Sequence, residues 1–143
     1  MIIRKISEKK AELLSSVWDK FKLNPRFHIC TKAMERCNLL DSNIMRLLRR
    51  REHMSIKEIA NKLALKPSTL SSAIHRLEKY GFVRREICHL DLRSYQVSLT
   101  AKGLEAIEEF HAKELEVFNE LLSKLENQDE QNLFLDLFNR VLD

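Results

Sequence analysis

A chain of 143 residues, 44% hydrophobic and 32% charged, has the length and composition of one folded domain with a short extension, and is neither disordered nor membranous. The start MIIRKISEKK lacks a signal-peptide core, the apolar runs are far shorter than a spanning helix, and three cysteines (Cys30, Cys37, Cys88) make no disulfide framework, so a cytoplasmic protein is expected. The net charge of +4 hides an uneven distribution: residues 46–100 hold 12 Lys/Arg against 5 Asp/Glu, a net of +7, whereas residues 101–143 hold 4 against 11, a net of −7. A basic segment is the electrostatic footprint of phosphate binding, although charge alone fits a solvated surface equally well.

With only two glycines and two prolines, most of the chain should be helical. From Lys5 to about Leu23, Ile6, Leu13, Leu14, Val17, Trp18 and Phe21 recur at helical spacing, until Asn24-Pro25 interrupts the path. A second helical stretch is expected through Ile29, Ala33, Met34 and Cys37, then a helix carrying Ile44, Met45, Leu47 and Leu48 with Asp41 or Ser42 as N-cap. Ser55-Ile56-Lys57-Glu58 has the capping-box pattern, so a short helix starts at Ile56, turns Ile59, Ala60 and Leu63 inward, and ends before Pro67.

Pro67 suits the first position of the next helix, Pro67 to Tyr80, which buries Leu70, Ala73, Ile74 and Leu77 and stops at Gly81. At about 100° per residue its opposite face carries Ser68, Ser72, His75 and Lys79, with Ser71 and Arg76 on the flanks. Small serines let the backbone approach a groove floor, and His75 and Arg76 have the reach for base edges or phosphates. Phe82–Ile87 reads as a strand and Tyr95–Thr100 as its partner, with Tyr95, Val97 and Leu99 inward and a wing loop around Cys88 to Ser94 tipped by Arg93. The helix, proline break, helix and two strands outline a winged helix-turn-helix.

The segment "MSIKEIANKLALKPSTLSSAIHRLEKYGFVRREICHLDLRSYQVSLTAKG" resembles the MarR family of bacterial transcription regulators without a gap over about 50 residues. The match runs from Glu58-Ile59-Ala60 through Ser68-Thr69-Leu70-Ser71, Leu77-Glu78 and Gly81-Phe82-Val83 to Asp91-x-Arg93 and Val97-x-Leu99-Thr100-x-x-Gly103. The resemblance implies that Asp91 braces the wing, that Arg93 enters the minor groove, and that the N-terminal half of the recognition helix reads the major groove. DNA-binding residues are then expected at Lys66, Ser68, Thr69, Ser71, Ser72, His75, Arg76, Arg84 and Arg93. This wing departs from the family's mostly polar pattern at Ile87, Cys88, Leu90 and Leu92.

The expected fold is mainly α with a small β-wing: N-terminal dimerisation helices over 1–40, a winged helix-turn-helix lobe over 41–100 and C-terminal dimerisation helices over 101–143. The C-terminal apolar residues, among them Leu133, Phe134, Leu137, Phe138, Val141 and Leu142, exceed what a small winged helix covers, which calls for a homodimer on a pseudo-palindromic double-stranded operator. The expected function is sequence-specific regulation, as a repressor released by a small ligand or by oxidation. The alternative is a winged helix that docks proteins instead of DNA.

Family likeness puts a small-molecule effector in a crevice drawing on Trp18, Phe21, Arg26, Phe27 and His28, although such a stripe is also ordinary core. Cys30 and Cys37, on one face of the expected helix and about 10 Å apart along it, are too distant for a disulfide. Either is a redox candidate if Arg26, Lys32 or Arg36 depresses its pKa, with buried inert cysteine the default. No metal site or cofactor is expected from His28, Cys30, Cys37, His53, Cys88, His89 and His111, whose spacing matches no ligand motif. No nucleophile motif, phosphate-binding glycine loop or catalytic carboxylate pair is present, so an enzyme is excluded.

Overall fold

The computed structural model describes residues 8–88 and 91–143, and for residues 88 and 91–94 the backbone alone. Elements follow in the order α1 (Glu8–Leu23), α2 (Leu39–Arg50), β1 (Met54–Ser55), α3 (Ile56–Lys62), α4 (Pro67–Lys79), β2 (Val83–Cys88), β3 (Asp91–Leu99), α5 (Ala101–Leu122) and α6 (Gln128–Leu142). They form two compact units, one from the ends of the chain, up to Ile29 and from Glu114 onward, and one spanning Cys30–Lys113.

The central unit holds the core. Ile44, Met45 and Leu48 of α2, Met54, Ile59 of α3, Leu70, Ile74 and Leu77 of α4, Val97 of β3 and Ile107 of α5 are all buried. The three strands make an antiparallel sheet in the order β1-β3-β2, with Met54 opposite Val97 and Val83 opposite Leu99. This is the mainly helical fold with a small wing that the sequence implies.

Local chemistry sets most boundaries. The Ser55–Glu58 capping box is present: Ser55 Oγ accepts from the Glu58 N–H at 3.2 Å, and Glu58 accepts from the Ser55 N–H at 2.8 Å. The Ser55 N–H, joined by Ser55 Oγ donating to Glu58 Oε2 at 3.0 Å, holds the Glu58 carboxyl below its usual range, with Arg51 and Lys62 adding to the effect. Between α3 and α4 the chain turns through Ala64 at φ +50°, where most folds place glycine. At the end of α4, Gly81 (φ +76°) donates to Glu78 O and Phe82 donates to Leu77 O, a Schellman closure.

Beyond β3, Thr100 Oγ1 donates to Gly81 O at 2.6 Å and accepts from the Gly103 N–H at 3.0 Å, tying the end of α4 to the start of α5. Gly103 lies so close to the Phe82 carbonyl that a Cβ would sit inside it. The Leu-Thr-x-x-Gly pattern is thus a packing requirement.

Four expectations need correction. The helix expected through Ile29 to Cys37 is absent: extended residues join two 3-10 turns, Pro25–Phe27 and Lys32–Met34. Thr31 sits at φ −111°, ψ 155°, and the β-branched Ile29 and Thr31 do not favour helix. Cys30 and Cys37 therefore share no helix face. The N-cap of α2 is Asn38 and not Asp41 or Ser42; its side chain accepts from the Asp41 N–H at 3.0 Å while Asp41 accepts from the Asn38 N–H at 3.1 Å. Tyr95 is 51% exposed instead of inward, and it faces Ile87 across the ribbon as a half-exposed aromatic–aliphatic pair. Finally, β2 and β3 run further than expected, so the loop between them is shorter than Cys88 to Ser94.

In the other unit neither α1 nor α6 buries any residue, and Leu13, Leu14, Val17, Leu133, Phe134, Leu137 and Phe138 are exposed. Asn127 caps α6, accepting from the Glu130 N–H at 3.0 Å. No helix among the described residues is long and apolar enough to cross a membrane.

The close approach at Gly103 predicts that Gly103→Ala lowers unfolding stability by about 1–3 kcal/mol, because the Phe82 carbonyl is backbone and cannot rotate away. Urea unfolding followed by circular dichroism measures this, and an unchanged midpoint would contradict the packing described.

Candidate nucleic-acid interface

The sides of α4 divide as its sequence dictates. Leu70, Ala73, Ile74 and Leu77 are buried against α2, α3 and the sheet, while Ser68, Thr69, Ser71, Ser72 and His75 are exposed. Burying the three larger side chains contributes about 1.5–3 kcal/mol each, which fixes the side of the helix that stays bare. Pro67 occupies the first helical position after an extended, exposed Lys66.

The exposed face is made of donors and acceptors. Ser72 Oγ donates to Ser68 O at 3.1 Å, a bond internal to the helix that leaves its lone pairs outward. His75 Nδ1 lies 4.0 Å from Glu78, too far for a hydrogen bond, so the ring remains available. Arg84 Nε sits 2.6 Å from Glu86 on the same strand, an exposed pair of small net worth.

Arg76 stands apart from the other expected contacts. Its Nη2 donates to Asp41 Oδ1 at 2.6 Å and its Nε to Asp41 Oδ2 at 3.0 Å. Asp41 is fully buried, and its hydrogen bonds to the guanidinium raise the Arg76 pKa further. The guanidinium expected on bases or phosphates is held by α2 through Nε and Nη2. Sequence reading missed Asp41, and the one available signal was a carboxylate inside an otherwise apolar helical repeat.

Arg93, Asp91 and the wing residues Cys88, Leu90 and Leu92 fall outside the described side chains, as does His89 altogether. The expected effector residues come together in the other unit: the Trp18 and Phe21 rings stack at 5.7 Å and those of Phe21 and Phe27 at 4.8 Å. Arg26 Nη1 reaches Glu120 at 3.3 Å and His28 Nε2 lies 2.7 Å from Lys22 O, so both polar groups have partners within the protein. Cys30 is exposed and Cys37 half-buried, both as free thiols. Burial and the neighbouring Asp41 push the Cys37 thiol up to about 11, against a smaller opposing effect of Arg76. Among the described residues no three His, Cys, Asp or Glu side chains are grouped to hold a metal ion.

Comparison with known proteins agrees with this geometry. Residues 38–95 match the model of the MarR family. An uncharacterised HTH-type transcriptional regulator of Bacillus subtilis, YwhA, is 24% identical over 135 residues, covering 86% of this chain and 96% of that protein. The HTH-type transcriptional regulator PecS of Dickeya dadantii is 29% identical over 123 residues, covering 84% of this chain and 66% of that one. Among solved structures, the YusO protein of Bacillus subtilis superposes with a TM-score of 0.72 at 20% identity, over 96% of this chain and 98% of its own. Wild-type MarR of E. coli superposes with a TM-score of 0.69 at 20% identity, over 93% and 96%. YwhA and PecS are both named as transcriptional regulators, and residues 38–95 of this chain form a winged-helix lobe of the MarR family.

Proposed function

We propose that this protein is a homodimeric repressor that binds a pseudo-palindromic operator in double-stranded DNA. The observation that carries the reading is the bare polar face of α4, Ser68, Thr69, Ser71, Ser72 and His75, on a lobe whose segment has a net charge of +7. In this reading Ser68, Ser71, Ser72 and His75 meet base edges in the major groove. Lys66, Thr69 and Arg84 meet phosphates, and Arg93, with Asp91 bracing the wing, enters the minor groove. The second copy covers the exposed apolar residues of α1 and α6, which have no core of their own.

Two modes of release remain within the proposal. An aromatic anion is the ligand chemistry suited to the Trp18–Phe21–Phe27 stack beside Arg26 and His28, where it would compete with Glu120 for the guanidinium. Oxidation would begin at Cys30, the exposed thiol, since the raised pKa of Cys37 leaves almost none of it as the reactive thiolate near neutrality.

Fluorescence anisotropy on labelled duplexes tests the DNA reading. Affinity should fall steeply with salt, by roughly one decade in Kd per decade of salt for each phosphate contact. Lys66→Ala should weaken all sequences alike and flatten that slope, while Ser72→Ala or His75→Ala should also blur sequence preference. Salt-insensitive binding would count against the reading. For the thiols, iodoacetamide at neutral pH should label Cys30 well before Cys37 in the native protein. Because the folded-state pKa of Cys37 is raised, its contribution to stability is complete below 9.0 and is lost as pH climbs through about 11. Cys37→Ala should remove that part of the alkaline decline.

A further inference from the structure

We infer that Asp41 and Arg76 are a positioning pair for sequence reading, a buried carboxylate on α2 that sets the rotation and height of α4 through a two-pronged grip on its arginine. The inference rests on the DNA-binding proposal and deepens it. Asp41 is held on both sides: Oδ2 accepts from the Asn38 N–H at 3.1 Å as well as from Arg76, so the first turn of α2 orients the carboxylate. Arg76 lies four residues after Ser72 and next to His75, so it fixes the part of α4 that carries the outward donors.

The pair supplies what the core beneath α4 cannot. Leu70, Ala73, Ile74 and Leu77 hold the helix down, but apolar burial is non-directional and tolerates small rotations and slides. A two-point charged hydrogen bond does not. Contacts to base edges need donor–acceptor distances of about 2.7–3.2 Å, whereas attraction to phosphates survives larger displacements. Loss of the grip should therefore reduce discrimination between sequences and leave general DNA affinity intact.

The double variant Asp41→Asn/Arg76→Gln removes both charges, keeps the net charge of the protein, and retains an acceptor for the Asn38 N–H. Arg76→Lys keeps the positive charge but loses the fork and serves if the double variant fails to fold. Each variant, checked for folding by circular dichroism, is titrated across a salt series with two duplexes: one enriched by the wild-type protein from a random pool, the other a shuffled version of it. The expected result is a loss of the preference ratio by about tenfold or more, comparable to one mismatched base pair, with unchanged affinity and salt slope on the shuffled duplex.

A preserved ratio in a folded variant overturns the inference. So does an equal loss on both duplexes with a slope shallower by about one in the double variant, which would make Arg76 a phosphate contact. A wild-type protein that enriches no duplex and binds none in a salt-dependent way overturns the DNA-binding proposal itself, and the inference with it.

Discussion

A helix that reads DNA must be anchored along one side without losing the other, and in α4 both conditions are met by the spacing of four residues. Leu70, Ala73, Ile74 and Leu77 fall on a single stripe and pack into the core shared by α2, α3, β3 and α5. The ends of α4 are closed by Pro67 and by the Gly81 Schellman turn, and Thr100 and Gly103 bind that turn to the start of α5. The serines and His75 are exposed because every competing position for them is already filled by an apolar side chain. The position and polarity of the bare face of α4 thus follow from the burial of one stripe.

The charges of this lobe divide by solvent exposure. Arg49 with Glu108, Arg51 with Glu58, Arg84 with Glu86 and Arg85 with Glu78 are pairs in which at least part of each partner meets water. Such pairs contribute about 0–1 kcal/mol, so exchanging a carboxylate for a phosphate oxygen costs little. Asp41 with Arg76 is different, because one partner is fully buried and separation would leave a carboxylate without solvent or counter-charge. Exposed arginine pairs can exchange a carboxylate for a phosphate oxygen at small cost, whereas parting Arg76 from Asp41 strands a buried charge.

What could be read directly from the sequence was local. The Ser55–Glu58 capping box, the Pro67 start, the Gly81 stop and the buried stripe of α4 each depend on residues within a few positions, and they stand where expected. The misreadings came from competition or distance. Asn38 outcompeted Asp41 for the cap because it could form the reciprocal pair with it. Ile29 to Cys37 has apolar residues at helical spacing but too few turns to bury a face, and two 3-10 turns replaced the helix. The role of Arg76 depends on a partner 35 positions away, beyond any spacing rule. At the wing, the unexpected Ile87 proved to be half of an exposed cross-strand pair with Tyr95, on the part of the ribbon that lies beyond the Arg85–Val97 pair and away from the core.

The central claim is that a bare polar face on a basic winged-helix lobe reads DNA as part of a two-fold dimer. Sequencing the fragments that the full chain retains from a random duplex pool tests it most directly. The expected product is an inverted repeat whose half-site centres lie about one helical turn apart. Fragments with no shared motif, or a motif with a single unrepeated half, would contradict it.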